Sequence, residues 1–186
     1  EATRLDALAV LRESKGDLAG SIATHERALA LRRRLVPPNH HSIGYGLANL
    51  AGVLEATGDR ESARANLIEA KAIFEASFGP DNPTTAHVLN NLANLHLHLG
   101  EYDEAEPLLV RTQTIWRANL PPDHPDLGDV ENAFGDLRRG QGRLDEAVAA
   151  HERALAIHER GFAKDHPQIA KTQARLAEAR ALRDRH

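Results

Sequence analysis

The sequence predicts an all-α fold, an array of antiparallel helix hairpins, on three observations. Glycine-centred pairs recur at a fixed interval of 42, at Gly16-Asp17, Gly58-Asp59, Gly100-Glu101 and Gly142-Arg143. A proline-bearing loop recurs at the same interval between them, with Asp81, Asp123 and Asp165 inside Gly79–Pro83, Pro121–Pro125 and Ala163–Pro167. Leucines and alanines return at three- and four-residue spacing on both sides of each glycine, and no stretch alternates as a strand would. One block even repeats verbatim three periods apart, His25–Ala30 and His151–Ala156, both HERALA.

Each element follows from this punctuation. A glycine at the central turn suits the left-handed residue that closes a helix, and an Asp/His-Pro pair supplies a cap followed by a proline at the first helical position. First helices are predicted near 2–15, 42–57, 84–99, 126–141 and 168–184. Second helices are predicted near 17–36, 59–78, 101–120 and 143–162. In the third repeat Leu89, Leu92, Ala93 and His96 form the packing stripe of the first helix, facing Tyr102, Ala105, Leu109 and Thr112. In the last helix Ile169, Leu176, Ala177 and Leu182 are expected to turn inward, with Lys171, Arg175, Arg180, Arg183 and Arg185 turned out. The loop at Pro37–His41 is the weakest copy, because His41 stands where the other loops carry proline.

Composition fits this plan and excludes several others. Hydrophobic residues are 41% and aromatics only 4% of the 186 residues, so the core must rest on Ala and Leu. No apolar run approaches the roughly 18 residues that cross a bilayer. Cysteine is absent, which removes disulfides and thiolate chemistry and points to a cytoplasmic location. A net charge of −4 provides no basic field for nucleic acid. A chain that opens on Glu1 without an initiator is expected to be a piece of a longer protein.

Leu89–Leu109, LNNLANLHLHLGEYDEAEPLL, resembles the tetratricopeptide repeat, and the 42-residue period is similar to that of kinesin light chain repeats. The resemblance covers the whole chain, read as one domain with repeats at about 1–38, 39–80, 81–122 and 123–164 and a terminal helix at 165–186. Departures fall at Glu131 in a large apolar slot, at His25 and His151 in an aromatic slot, and at Arg12, Leu54, His96, Arg138 and Arg180 in a tyrosine slot. The resemblance implies a right-handed solenoid whose first helices line a concave wall, no enzymatic activity and no cofactor. It also implies a role as a protein-interaction scaffold that clamps an extended peptide through inner asparagines, carried over to Asn49, Asn90, Asn91, Asn94 and Asn132. Tyr45, His87, Asp136 and Arg139 complete the expected peptide-binding set. Because Asp6, Glu13, Glu55, Asp129 and Asp136 are expected on the same wall, a neutral or basic peptide is the expected ligand. The alanine- and arginine-rich style resembles bacterial arrays attached to signalling enzymes, where repeats sense a partner. The competing expectation is a self-association arm that pairs protomers, as a homodimer, through terminal faces.

Eleven histidines invite a metal reading, which their spacing does not support. His40, His124 and His166 sit in the recurring loop as helix starts, His25 and His151 read as core residues, and His96 and His98 diverge by about 200° around their helix. The HERAL and HERGF strings lack the second histidine of a zinc-protease helix, and no phosphate loop or nucleophile elbow occurs.

Overall fold

The computed structural model describes residues 1–185; His186, assigned above to the terminal helix segment, lies outside them. The described chain is all-helical: α1 (Ala2–Ser14), α2 (Leu18–Leu35), α3 (His41–Thr57), α4 (Arg60–Phe78), α5 (Pro83–Leu99), α6 (Tyr102–Asn119), α7 (Pro125–Gly140), α8 (Leu144–Gly161) and α9 (Pro167–Arg183). Each sequence-predicted helix is present. Of the first helices α1 begins where expected, and α3, α5, α7 and α9 begin one residue earlier because His41 and the loop prolines are already helical. Second helices begin one residue later because Asp17, Asp59, Glu101 and Arg143 are their N-caps.

The central turns close on glycine, with φ of 79° at Gly16, 89° at Gly58 and 76° at both Gly100 and Gly142. An L side chain in this region is strained, so the 42-residue spacing of glycine is a backbone requirement. Asp17 and Asp59 then cap the next helix by accepting from the Gly20 and Ser62 backbone N–H groups at 2.9 and 3.1 Å. The interrepeat loops share another device. His40, Asn82, His124 and His166 accept from the backbone N–H two residues on, at 3.2, 2.8, 3.3 and 3.3 Å. Histidine replaces the usual Ser or Asp as cap acceptor, and each cap satisfies an N–H that the helix itself leaves unpaired.

The helices fall into two compact units, Glu1–Val88 and Leu89 onward, with the boundary inside α5. In the first unit α1 packs on α2, α2 on α3 and α3 on α4. Its core is Ala9, Ala28, Ile43, Leu47, Ala51, Leu67, Ala70, Ile73 and Phe74, all at most 4% exposed. Gly44 permits the closest approach there, since a Cβ at that position would lie 2.7 Å from the Phe74 ring. Burying a large apolar side chain contributes roughly 1.5–3 kcal/mol, so Phe74 and its leucines dominate this unit.

In the second unit α6 packs on α7, α7 on α8 and α8 on α9. Leu89, Ala93, Ala105, Leu109, Trp116, Leu137, Ala147 and Ala154 are buried. The docked face of α9 differs from expectation. Ile169, Thr172, Leu176 and Ala179 are buried, whereas Ala177 is exposed. The stripe 169-172-176-179 follows helical geometry, and Thr172 belongs to it because α7 and α8 offer its hydroxyl partners.

Candidate functional site

The expected peptide-binding residues lie on first helices, and the structure separates them into open and committed groups. Asn49 on α3 and Asn91 on α5 occupy the same register one period apart, and both are exposed. Neither amide has a partner among the described residues. Tyr45 is 47% exposed, its ring centroid 4.9 Å from that of Phe74 and tilted 60° to it. His87 is exposed and Asn94 half-buried. Asn90 is 8% exposed, with its carbonyl oxygen buried and unpartnered among the described residues.

The other three are engaged within the second unit. Asp136 and Arg139 are tied into an ion-pair cluster with α9: Arg139 reaches Glu178 at 2.8 Å and Asp136 at 3.3 Å, and Arg175 reaches Asp136 at 3.0 Å. Asn132 is 2% exposed, so the expectation that it faces a ligand is corrected. Its amide nitrogen donates to the Thr172 hydroxyl at 2.8 Å, and its carbonyl oxygen lies 3.1 Å from His151 Nδ1. The chain continues from Thr172 Oγ1 to His158 Nδ1 at 2.9 Å, and His158 Nε2 donates to the Pro125 carbonyl at 3.2 Å. Five polar groups thus link α7, α8 and α9 through a buried thread, where an unpaired group would be costly.

Two glycines make room for this thread. A Cβ on Gly135 would lie 2.4 Å from the His151 ring, and one on Gly128 would lie 2.3 Å from the His158 ring. The glycines and the histidines are each seven residues apart, two helical turns, so both rings seat on the bare backbone of α7. This spacing was the available sequence signal that Asn132 belongs to the core.

Burial holds the His151 imidazole below its ordinary value of 6.5; Asp136 opposes that shift and Arg175 and Arg139 reinforce it. The folded state therefore favours neutral His151, while the unfolded chain takes up a proton first as pH falls. Stability is expected to be full above about pH 6.5 and to decline as pH drops toward the folded-state value. Urea unfolding at pH 8 and pH 5.5 checks this. His151→Leu, which installs the residue found at equivalent positions 67 and 109, should flatten that part of the dependence.

The polar substitutions in the tyrosine slot all reach the adjoining second helix. Arg12 donates to the Gly20 carbonyl and the Thr24 hydroxyl, His96 meets Glu101 at 2.6 Å, Arg138 meets Glu106 at 2.6 Å and Arg180 meets Glu152 at 2.7 Å. The Arg138 guanidinium holds the Glu106 carboxyl below the usual carboxylate range. Repeat 1 has its own polar core, where Asp6 pairs with Arg32 and lies 3.6 Å from His25, so Asp6 does not stand open on the first-helix face.

One cluster has no counterpart in the sequence reading. Glu131, 3% exposed, occupies the slot of Leu5, Leu47 and Leu89 in the other repeats. Its carboxylate accepts from Gln113 at 2.8 Å, Arg117 at 3.1 Å and Arg153 at 2.8 Å. The sequence marks Glu131 as out of place, but its partners come from two other helices.

Among the described residues no group of three His, Cys, Asp or Glu side chains is placed to hold a metal, and no helix is long and apolar enough to cross a membrane. Compared with known proteins, residues 42–118, 84–160 and 126–186 match one model of the tetratricopeptide repeat, and residues 2–42 match a second. No curated protein matches. Among solved structures, a Podosopora anserina kinesin light chain protein of nearly identical TPR-like repeats superposes with a TM-score of 0.78 at 22% identity, covering 100% of this chain and 90% of that one. A point variant of it gives 0.80 at 22%, covering 99% and 87%. BtubC (BKLC) from P. vanneervenii gives 0.81 at 21%, covering 98% and 72%.

Proposed function

Because this chain belongs to the tetratricopeptide repeat family, whose members generally act as protein–protein interaction scaffolds, we propose that it is a non-catalytic scaffold that holds an extended peptide along its first helices. The observation that carries this reading is that each unit presents one exposed asparagine at the same place in its repeat, Asn49 in the first and Asn91 in the second, each uncommitted among the described residues. A primary amide presents one acceptor and two donors, which matches the main chain of an extended peptide whatever its side chains. The 42-residue interval places that offer once in each unit. Tyr45 adds a half-exposed aromatic ring in the same helix as Asn49. The ligand on this reading is a neutral or basic peptide, in keeping with the net charge of −4, and the site of action is the cytoplasm, as the sensing part of a larger bacterial signalling protein.

Affinity capture from the native lysate, followed by titration of the recovered peptide, tests the proposal. The Asn49→Ala/Asn91→Ala double variant is expected to bind roughly five- to 150-fold more weakly, each lost hydrogen bond contributing about 0.5–1.5 kcal/mol. Its thermal stability should be unchanged, since neither side chain has a partner inside the fold. Unchanged affinity would place the partner elsewhere.

A second reading, pairing of protomers, is favoured by Leu8 and Leu11 on α1, 40% and 50% exposed. These residues form an apolar edge on the first helix of the array. Concentration-dependent mass that disappears with Leu8→Lys/Leu11→Lys would support it, and a concentration-independent monomer would remove it.

A further inference from the structure

The Glu131 cluster divides two adjoining cavities that open between the second helices α6 and α8, with α7 as their floor. One, about 290 Å³, is lined by Leu120, Leu127, Val130 and Ile157. The other, about 350 Å³, is lined by Phe134 and Ala150 together with Arg138 and Arg153. Arg117, Gln113 and Glu131 border both. These volumes sit at the lower edge of the range that holds small ligands, enough for a side chain or two in each cavity.

The charge of this cleft is opposite to that of the chain. Its walls carry four arginines and two glutamates, while the whole sequence is net −4. Arg138 is occupied by Glu106, and Arg160 by Asp123 at 2.6 Å. The remaining two are held differently. Arg153 uses only Nε on Glu131, and Arg117 uses only Nη2, so among the described residues both terminal nitrogens of Arg153, and Nη1 and Nε of Arg117, have no protein partner. Their side chains are 56% and 61% exposed. One buried carboxylate therefore fixes two guanidiniums with open donors beside an apolar cavity. A planar guanidinium with two free N–H edges binds a carboxylate in a bidentate fork.

We propose that this cleft is a second docking site, on the second-helix face and separate from the first-helix amides, for an acidic peptide segment of a partner protein. The segment places an aliphatic side chain in the Leu120–Ile157 cavity and an adjacent carboxylate on Arg117 and Arg153. Glu131 is the positioning residue: it touches no ligand and orients both arginines. The glutamate in a leucine slot is thereby accounted for, because a leucine there would leave Arg117 and Arg153 unanchored.

Fluorescence anisotropy on the full chain tests this with three labelled Gly-Ser dodecapeptides carrying Leu-Asp-Glu, Leu-Asn-Gln or Leu-Lys-Lys. The Leu-Asp-Glu peptide should bind at least about tenfold more tightly than the other two, with an advantage that shrinks as salt is raised. Arg117→Gln/Arg153→Gln removes both charges and should abolish that preference; it leaves the buried Glu131 carboxylate without a cation and so melts lower, and binding is read well below that melt, where the helical signal is unchanged. Amide-shift mapping should place the perturbed residues on α6, α7 and α8. Equal binding of the three peptides, no binding by any of them, or shifts centred on Asn49 and Asn91 would each overturn the assignment. So would concentration-dependent mass lost in the double variant, because it would make a second copy of the chain the occupant. No acidic preference, with the captured peptide still weakened by Asn49→Ala/Asn91→Ala, would overturn this assignment and leave the first-helix reading standing; an acidic preference that persists while Asn49→Ala/Asn91→Ala leaves the captured peptide's affinity unchanged would remove that reading alone.

Discussion

Asn132→Ala is expected to lower the unfolding free energy by about 2–4 kcal/mol, read from urea denaturation at pH 8. The amide joins His151 and Thr172 in the interior, and its removal leaves a buried ring nitrogen and a buried hydroxyl short of a partner, each costing about 1–3 kcal/mol. A small cavity adds to the loss. Alanine is the native residue at position 48, two periods earlier, because the second-helix positions equivalent to His151 and His158 are there Leu67 and Phe74, which ask for no hydrogen bond. Asn90, one period earlier, gives the control: its buried carbonyl oxygen is unpartnered among the described residues, so Asn90→Ala should cost less than about 1 kcal/mol. If Asn132→Ala cost no more than Asn90→Ala, the buried thread would not be a stabilising element.

Glu131→Leu is expected to act with the opposite sign, raising the unfolding free energy by about 1–3 kcal/mol. The slot holds leucine in three other repeats, and a buried carboxylate carries a desolvation cost that its partners offset only in part. Arg117 and Arg153 lose nothing essential, since more than half of each side chain is already hydrated. A gain in thermal stability would mean that glutamate here is not retained for folding, whereas a loss of more than about 1 kcal/mol would assign it a structural role.

The fold was legible because its determinants are local. The left-handed glycines, the capping loops and the three- and four-residue apolar spacing each act within one hairpin, so the sequence alone places every helix to within three residues. The site was only partly legible. Register distinguishes Asn49 and Asn91 from Asn90 and Asn132 by a single position, a rotation of about 100°. That rotation carries the latter pair into the interior, and nothing in the first helices alone reveals it. The deciding residues lie on other helices: Thr172 on α9 is 40 positions from Asn132, and His151 on α8 is 19 positions away. The same holds for Glu131, whose three partners span α6 and α8. Ala177 is outside the buried stripe for a related reason, since α9 turns Thr172 toward the Asn132 amide donor on α7 and the His158 ring nitrogen on α8 rather than along its own most apolar line.

The side-chain amide resonances of Asn49, Asn91 and Asn132, followed through titration with the captured peptide, test the central claim most directly. The Asn49 and Asn91 signals should shift and gain protection from solvent exchange, while Asn132, already bonded inside the second unit, should stay where it is. Shifts confined to Asn132 and the buried histidines, with Asn49 and Asn91 unmoved, would contradict the account.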